Sequence, residues 1–203
     1  MRVVVSEFFQ NLFASASPFR SALDSVLSMV ERKMTAPLNS MLAARFTPAE
    51  IQSALFQMSP LKAPGPDGLP AGFSQRFWDV VGCKLVSAVL AVLNEGADMG
   101  AIGEALVVLI PKVKLPVRIT ECRPISLCNV AYKVIAKVLA NRLKQVLTDL
   151  ISPQQSAFVL GCLITDNVIV GFESLHCIRN KRCGKNGFLA LKLDMSKAYD
   201  KVE

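Results

Sequence analysis

At 203 residues, 52% of them hydrophobic and with no low-complexity tract, the chain can bury a core as one domain or two small ones, which excludes a disordered or fibrous protein. Its formal net charge of +7 suits a polyanionic partner. The longest apolar run, Leu85 to Leu93, is about half of a membrane span, and Val3-Val4-Val5, cut off by Glu7, is too short for a signal peptide, so no membrane association is expected. Six cysteines, at 83, 122, 128, 162, 177 and 183, form no Cys-x-x-Cys pair. Reduced thiols in an intracellular protein are the expectation, with no disulfide-linked partner; nucleus and cytoplasm are not distinguished.

Residues 1 to about 46 read as helical. Ser17-Pro18 is a helix start with Pro at the first helical position, and Leu23, Val26, Leu27 and Val30 recur at helical spacing. Thr47-Pro48-Ala49-Glu50 is a capping box; its helix carries Ile51, Leu55 and Met58 and stops at Ser59-Pro60. Lys62 to Pro70 holds three prolines and two glycines in nine residues, which forbids regular structure and, taken alone, reads as a surface linker. From Phe73 to Asn94 one long helix face follows, with Gly82 as its weak point and Gly96 as its stop.

Ala105 to Ile110 is a β-rich apolar run ended by Pro111, hence a buried strand. Lys112 leaves it directly. After a short polar loop comes Glu121 to Asn129, so Lys112 and Arg123 flank an expected hairpin. They are either two solvent-facing charges or, pointing to one side, a clamp for a triphosphate, Lys as a point charge and Arg as a bidentate fork. Tyr132 to Leu150 is the clearest helix, with an apolar stripe of Val134, Ile135, Val138, Leu139, Leu143, Val146, Leu147 and Leu150. Lys133, Lys137 and Lys144 lie off that stripe, on a solvated face that can also meet a phosphate backbone. Residues 105 to 150 carry Lys112, Lys114, Arg118, Arg123, Lys133, Lys137, Arg142 and Lys144 against Glu121 and Asp149. Ser152-Pro153 starts the next segment, and Thr165 is expected to cap a helix through Val168, Ile169, Phe172, Leu175 and Ile178. A basic turn, Arg179 to Lys185, leads to Phe188 to Leu193, read as a buried strand. Asp194 at its exit either ends the strand and caps a short helix or holds a divalent cation, since hard cations take oxygen ligands.

Several of these blocks, in this order, resemble one family. Lys62 to Pro70 is similar to the Lys-x-Pro-Gly-x-Asp-Gly segment of non-LTR and group II intron reverse transcriptases. Leu109-Ile110-Pro111-Lys112 and Arg123-Pro124-Ile125-Ser126-Leu127-Cys128-Asn129 resemble the fingers motifs of plant LINE-type (non-LTR) retrotransposons. Gln155 to Asn167 resembles the next block, except that Leu160 stands where the family has Pro and Cys162 where it has Arg. Leu193 to Glu203 looks like the first catalytic motif.

The resemblance implies an α+β fold: the helix-rich fingers and partial palm of a right-hand polymerase, truncated, with residues 1–59 a helical extension and 60–203 fingers and the start of the palm. It implies an RNA-directed DNA polymerase, with dNTP, an RNA template and a DNA primer as partners and Mg2+ as cofactor. Asp194 is then the catalytic metal ligand, Met195 a carbonyl ligand, Tyr199 the gate under the incoming sugar, and Lys112 and Arg123 the grip on the phosphates. The family's second carboxylate motif, aromatic-Ala-Asp-Asp, does not occur in the 203 residues, so this chain by itself is expected not to polymerise. The alternative is a non-catalytic nucleic-acid-binding remnant.

Overall fold

The computed structural model describes residues 2–14, 19–29, 34–151, 155, 159, 161, 163–181, 187–191 and 193. Through them run α1 (Arg2–Phe13), α2 (Arg20–Met29), α3 (Ala36–Ala43), α4 (Pro48–Phe56), α5 (Ala71–Arg76), α6 (Trp78–Glu95), β1 (Ala105–Pro111), β2 (Cys122–Cys128), α7 (Val130–Leu150) and α8 (Ile164–Asn180). The fold is therefore mixed, helices with one small antiparallel sheet, as the sequence implies. Two compact units divide the chain: residues 34–150, and residues 1–33 with 151–203.

The 34–150 unit is built where α4, α6 and α7 meet. Ile51, Ala54 and Leu55 of α4, Val89 of α6, and Val130, Val134, Ile135 and Val138 of α7 close over one another and over Ala71. Each fully buried Val, Leu or Ile contributes about 1.5–3 kcal/mol, so this junction is the main cohesive element of the unit. The capping box expected at Thr47 is present. The Thr47 amide donates to Glu50 Oε2 at 2.8 Å, and the Glu50 amide to Thr47 Oγ1 at 3.4 Å. At the other end of α4, Gln75 Nε2 donates to the carbonyls of Leu55 and Met58, both at 2.9 Å, and satisfies groups that the helix end leaves open.

The long helix expected over Phe73 to Asn94 is two helices, and the break falls at Phe77 (φ −105°, ψ 32°), not at Gly82. Gly82 lies within α6, and the Trp78 ring takes the space of a side chain there: a Cβ would stand 2.8 Å from the ring. Gly96 ends α6 in the left-handed conformation, φ 68°. Asn94, the next-to-last residue of α6, grips the chain ahead of α4 from both sides. It accepts from the Phe46 amide at 2.8 Å and donates to the Phe46 carbonyl at 3.0 Å. Replacing Asn94 with Ala leaves two part-buried backbone groups without these partners, and a loss of about 1–3 kcal/mol is expected in urea unfolding followed by circular dichroism.

β1 and β2 pair antiparallel, with Ile110 opposite Arg123, Val108 opposite Ile125 and Leu106 opposite Leu127. The strand assignment from sequence holds, but its burial does not. Along β1 only Leu109 is partly covered. Apolar composition predicts burial only when a second layer lies against the strand, and here the ribbon packs on itself. The Lys112 amide bonds the Glu121 carbonyl at 2.7 Å, so bonded pairs alternate inward from there. Pro111 and Pro124 therefore sit at non-bonded positions of the ladder, where a missing N–H removes no rung.

The second unit holds α1, α2 and α8. α8 opens at Ile164. Asp166 Oδ2 accepts from the Leu163 amide at 2.9 Å, so Thr165, expected as the cap, lies inside the first turn. Val168, Ile169, Phe172 and Leu175 of α8 are exposed. The strand expected over Phe188 to Leu193 is not found: residues 187–191 and 193 form no strand, and Phe188, Leu189, Leu191 and Leu193 are exposed. A strand needs a neighbour to take its backbone donors and acceptors, and none lies beside this segment among the described residues. Ser17-Pro18 and Ser152-Pro153 lie outside the described residues. No helix among them is long and apolar enough to cross a membrane.

Candidate nucleotide and nucleic-acid interface

The ribbon register decides where the two predicted phosphate-gripping cations stand. Residues paired across an antiparallel ladder share a face, and every second residue of a strand returns to it. Arg123 is opposite Ile110, so Lys112, two residues on, shares its face. The hairpin thus brings Lys112 and Arg123 to one side, both exposed. Lys112 Nζ donates to the Thr120 carbonyl at 3.2 Å, which holds the ammonium over the turn and leaves other protons for a ligand.

The turn between the strands is fixed by Glu121. Its Oε2 accepts from the Val117 amide at 2.7 Å and the Arg118 amide at 3.2 Å. These two amides, Val117 first, hold the carboxyl below its ordinary range, so it stays ionised at neutral pH. Lys114 and Arg118, exposed on the same turn, extend the positive surface of the hairpin tip.

On α7 the three lysines form a stripe. At about 100° per residue, Lys137 and Lys144 fall within roughly 40° of Lys133 around the helix axis. Their surroundings differ. Lys133 Nζ donates to the Ala63 carbonyl at 2.6 Å and so ties α7 to the Pro-Gly loop, whereas Lys144 is exposed and Lys137 half-buried.

Arg142, counted with the basic cluster in the sequence, belongs to the core side of the same helix. Its Nε meets Glu50 Oε1 at 2.7 Å and its Nη2 meets Glu50 Oε2 at 3.0 Å. The guanidinium also donates to the carbonyls of Leu42, Ala44 and Arg45, and it lies 3.6 Å from the centre of the Phe46 ring. Its side chain is 11% exposed. The signal was present in the sequence: Arg142 is four residues from both Val138 and Val146, on the apolar stripe.

Asn129 is the second residue that sequence reasoning passed over. Its Nδ2 donates to the Ala101 carbonyl at 3.0 Å, and its Oδ1 accepts from the Asp67 amide at 3.3 Å. Gly65 lies against it, with the position of a Cβ only 2.4 Å from the Asn129 nitrogen. The segment read as a linker is therefore docked on the junction between β2 and α7.

Asp194, Met195 and Tyr199, and the variant positions Leu160 and Cys162, lie outside the described residues. Among the described residues no three His, Cys, Asp or Glu side chains converge as a metal site would need.

Comparison with known proteins fits the position of the hairpin. Residues 110–203 match the family described as reverse transcriptase (RNA-dependent DNA polymerase), a match that opens at the end of β1 and takes in Lys112 and Arg123. Over 200 residues the chain is 34% identical to the uncharacterized 149 kDa protein of transposon TX1 from Xenopus laevis, covering 97% of this chain and 15% of that protein. The class is thus set for residues 110–203: the end of β1, β2, α7 and α8 lie in the stretch that matches the reverse-transcriptase family. More particularly, the chain as a whole is similar to a transposon protein, of which it spans 15% of the length.

Proposed function

We propose that this segment supplies the fingers and the start of the palm of a right-hand polymerase, 60–203, behind a helical extension, 1–59. The observation that carries the reading is the placement of Lys112 and Arg123, both within the matched residues, on one face of the hairpin. In that reading the two cations hold the triphosphate of an incoming dNTP, the bidentate guanidinium on one phosphate and the ammonium on its neighbour. Tyr199 lies under the sugar and excludes a 2′-hydroxyl. Asp194, with the carbonyl of Met195, contributes oxygen ligands for Mg2+, which when bound neutralises developing charge on the phosphates. The chemistry is attack of a primer 3′-hydroxyl on the α-phosphate, with RNA as template: the new P–O bond forms as the bond from the α-phosphorus to the bridging oxygen breaks, and pyrophosphate leaves. The plant LINE-type character of the individual blocks belongs to the same proposal.

One Asp and one carbonyl do not fix two cations a few ångströms apart, because their mutual repulsion has to be offset by several further oxygens. The 203-residue chain is therefore expected to show no primer extension on an RNA template with magnesium and dNTPs. A version continued through a second carboxylate motif is expected to extend, and Asp194→Ala is expected to abolish that activity. Extension by the 203-residue chain that survives Asp194→Ala would remove Asp194 from the reading.

The lysine stripe on α7 favours an accompanying, sequence-independent contact with a phosphate backbone. Affinity for a single-stranded RNA is expected to fall linearly in log–log form with salt. Replacing Lys137 and Lys144 together with Ala should flatten that slope by about 1.4, since each phosphate contact to a single strand contributes roughly 0.7. Lys133→Ala should change it less, because that ammonium is already held by Ala63. Fluorescence anisotropy across a salt series checks both.

A further inference from the structure

The ribbon that carries Lys112 and Arg123 is a lever held at one end. Both its faces are largely open to solvent, and among the described residues no helix layer lies against it. Its direction is therefore set at its base, where two legs join it to the helical unit. One leg is the single helical turn Gly100–Gly103, which leads into β1; the other is the step from Cys128 to Val130, which leads from β2 into α7. Both legs meet at Asn129. It is the residue after β2, and its Nδ2 bonds the Ala101 carbonyl of the other leg at 3.0 Å.

The same side chain holds a third strand of backbone. Its Oδ1 accepts from the Asp67 amide at 3.3 Å. The Lys62–Pro70 loop is pressed into this junction at Gly65, where the space for a Cβ is already taken by the Asn129 nitrogen and the Cys128 carbonyl carbon, each 2.4 Å away. Lys133, one turn into α7, closes the far side through Ala63. A loop rich in proline has few conformations of its own to lose, so it can act as a stiff wedge against the leg that joins β2 to α7.

We infer that Asn129 is a positioning residue: with the wedge at Gly65 it fixes the angle at which the hairpin presents Lys112 and Arg123, so that a triphosphate meets a pre-set pair of cations. This rests on the proposed nucleotide role of those two residues. It adds a part of the chain, the Pro-Gly-x-Asp-Gly loop, that the phosphate-binding reading leaves without a purpose. The effect on a ligand follows from geometry. A two-point clamp on phosphate loses one point if its support swings by about an ångström.

The test reads orientation and binding separately. Amide residual dipolar couplings of the 203-residue chain are measured in a dilute aligning medium. In the unaltered protein one alignment tensor is expected to fit α4, α6, α7, β1 and β2. In Asn129→Ala the helices should keep it while the couplings of β1 and β2 fall to roughly half or less, as motion averages them. Asn129→Asp keeps the acceptor for Asp67 but places a carboxylate oxygen against the Ala101 carbonyl. It should remain folded and show an intermediate reduction.

A titration with a magnesium-free dNTP, followed on the hairpin amides, gives the binding arm. Affinity in Asn129→Ala should weaken by about tenfold, close to the loss in Arg123→Ala, with Asn94→Ala as a control that leaves it unchanged. Unchanged couplings in both Asn129 variants overturn the inference. So does loss of the helical tensor in both, because Asn129 would then hold the core and not the ribbon. If the couplings fall as expected while Arg123→Ala leaves dNTP affinity untouched, the positioning stands and the nucleotide reading fails.

Discussion

Arg142→Ala is expected to destabilise the 34–150 unit by about 3 kcal/mol, read as a lower urea midpoint, the largest single-residue effect outside the apolar core. The guanidinium is almost fully covered, and it satisfies both Glu50 oxygens and three backbone carbonyls ahead of α4. Its removal leaves those carbonyls and a charged carboxylate facing a gap. Arg142→Lys should recover little, because a single ammonium cannot reproduce a planar fork that also stacks on Phe46. The same site should govern acid sensitivity. The Arg142 hydrogen bonds, aided by Thr47, bring the Glu50 carboxyl down from 4.5 to about 2. A carboxyl depressed in the folded state stabilises it at pH above the unfolded value, and that contribution disappears as pH falls from 4.5 toward 2. With Glu50 a third exposed, water screens the pair, and about 1–2 kcal/mol is the expected loss. Glu50→Gln should flatten the acid limb of the stability curve; an unchanged limb would show that other carboxylates control it.

The second large effect is expected at Gly65. An Ala Cβ there would meet both atoms of the Cys128–Asn129 peptide bond at 2.4 Å, and backbone cannot yield as a flexible side chain can. The Lys62–Pro70 loop must then lift off the β2–α7 junction and surrender the Asp67–Asn129 and Lys133–Ala63 bonds. A stability loss of about 2–3 kcal/mol follows, with new amide exchange confined to residues 62–70 and the first turn of α7. Gly68 makes the control. Its φ of +69° disfavours a side chain, but nothing lies within 4 Å of the Cβ position, so Gly68→Ala should cost only about 1 kcal/mol of backbone strain. Equal losses at the two glycines would mean that conformation, and not docking, is what the loop requires.

What the sequence revealed follows a physical line. Thr47 and Glu50, the Gly96 stop and Val134, Ile135, Val138 and Val146 of the α7 stripe depend on residues within a turn or two of one another and are where local chemistry puts them, whereas Leu139 and Leu143 of that stripe are exposed. The hairpin was legible because two apolar runs flank a polar turn, and its register then joined Lys112 to Arg123. What stayed hidden depends on partners distant in sequence. Nothing near Lys133 names Ala63, seventy residues earlier, and nothing near Asn129 names Asp67 or Ala101. Gly82 misled because a glycine in a helix usually marks weakness, whereas here it makes room for an indole. Phe188 to Leu193 misled for the opposite reason: its composition suits a strand, but pairing is a property of two segments.

The two prolines of the ribbon have a consequence for the molecule in company. A two-stranded ribbon is all margin, and each margin offers a row of amides and carbonyls on which another copy could lay a strand. Pro111 interrupts that row on one side and Pro124 on the other, at positions whose donors would have faced outward. The apolar ribbon can therefore stand open to water without becoming a seed for fibrils, and it stays free to receive a ligand in place of its own kind.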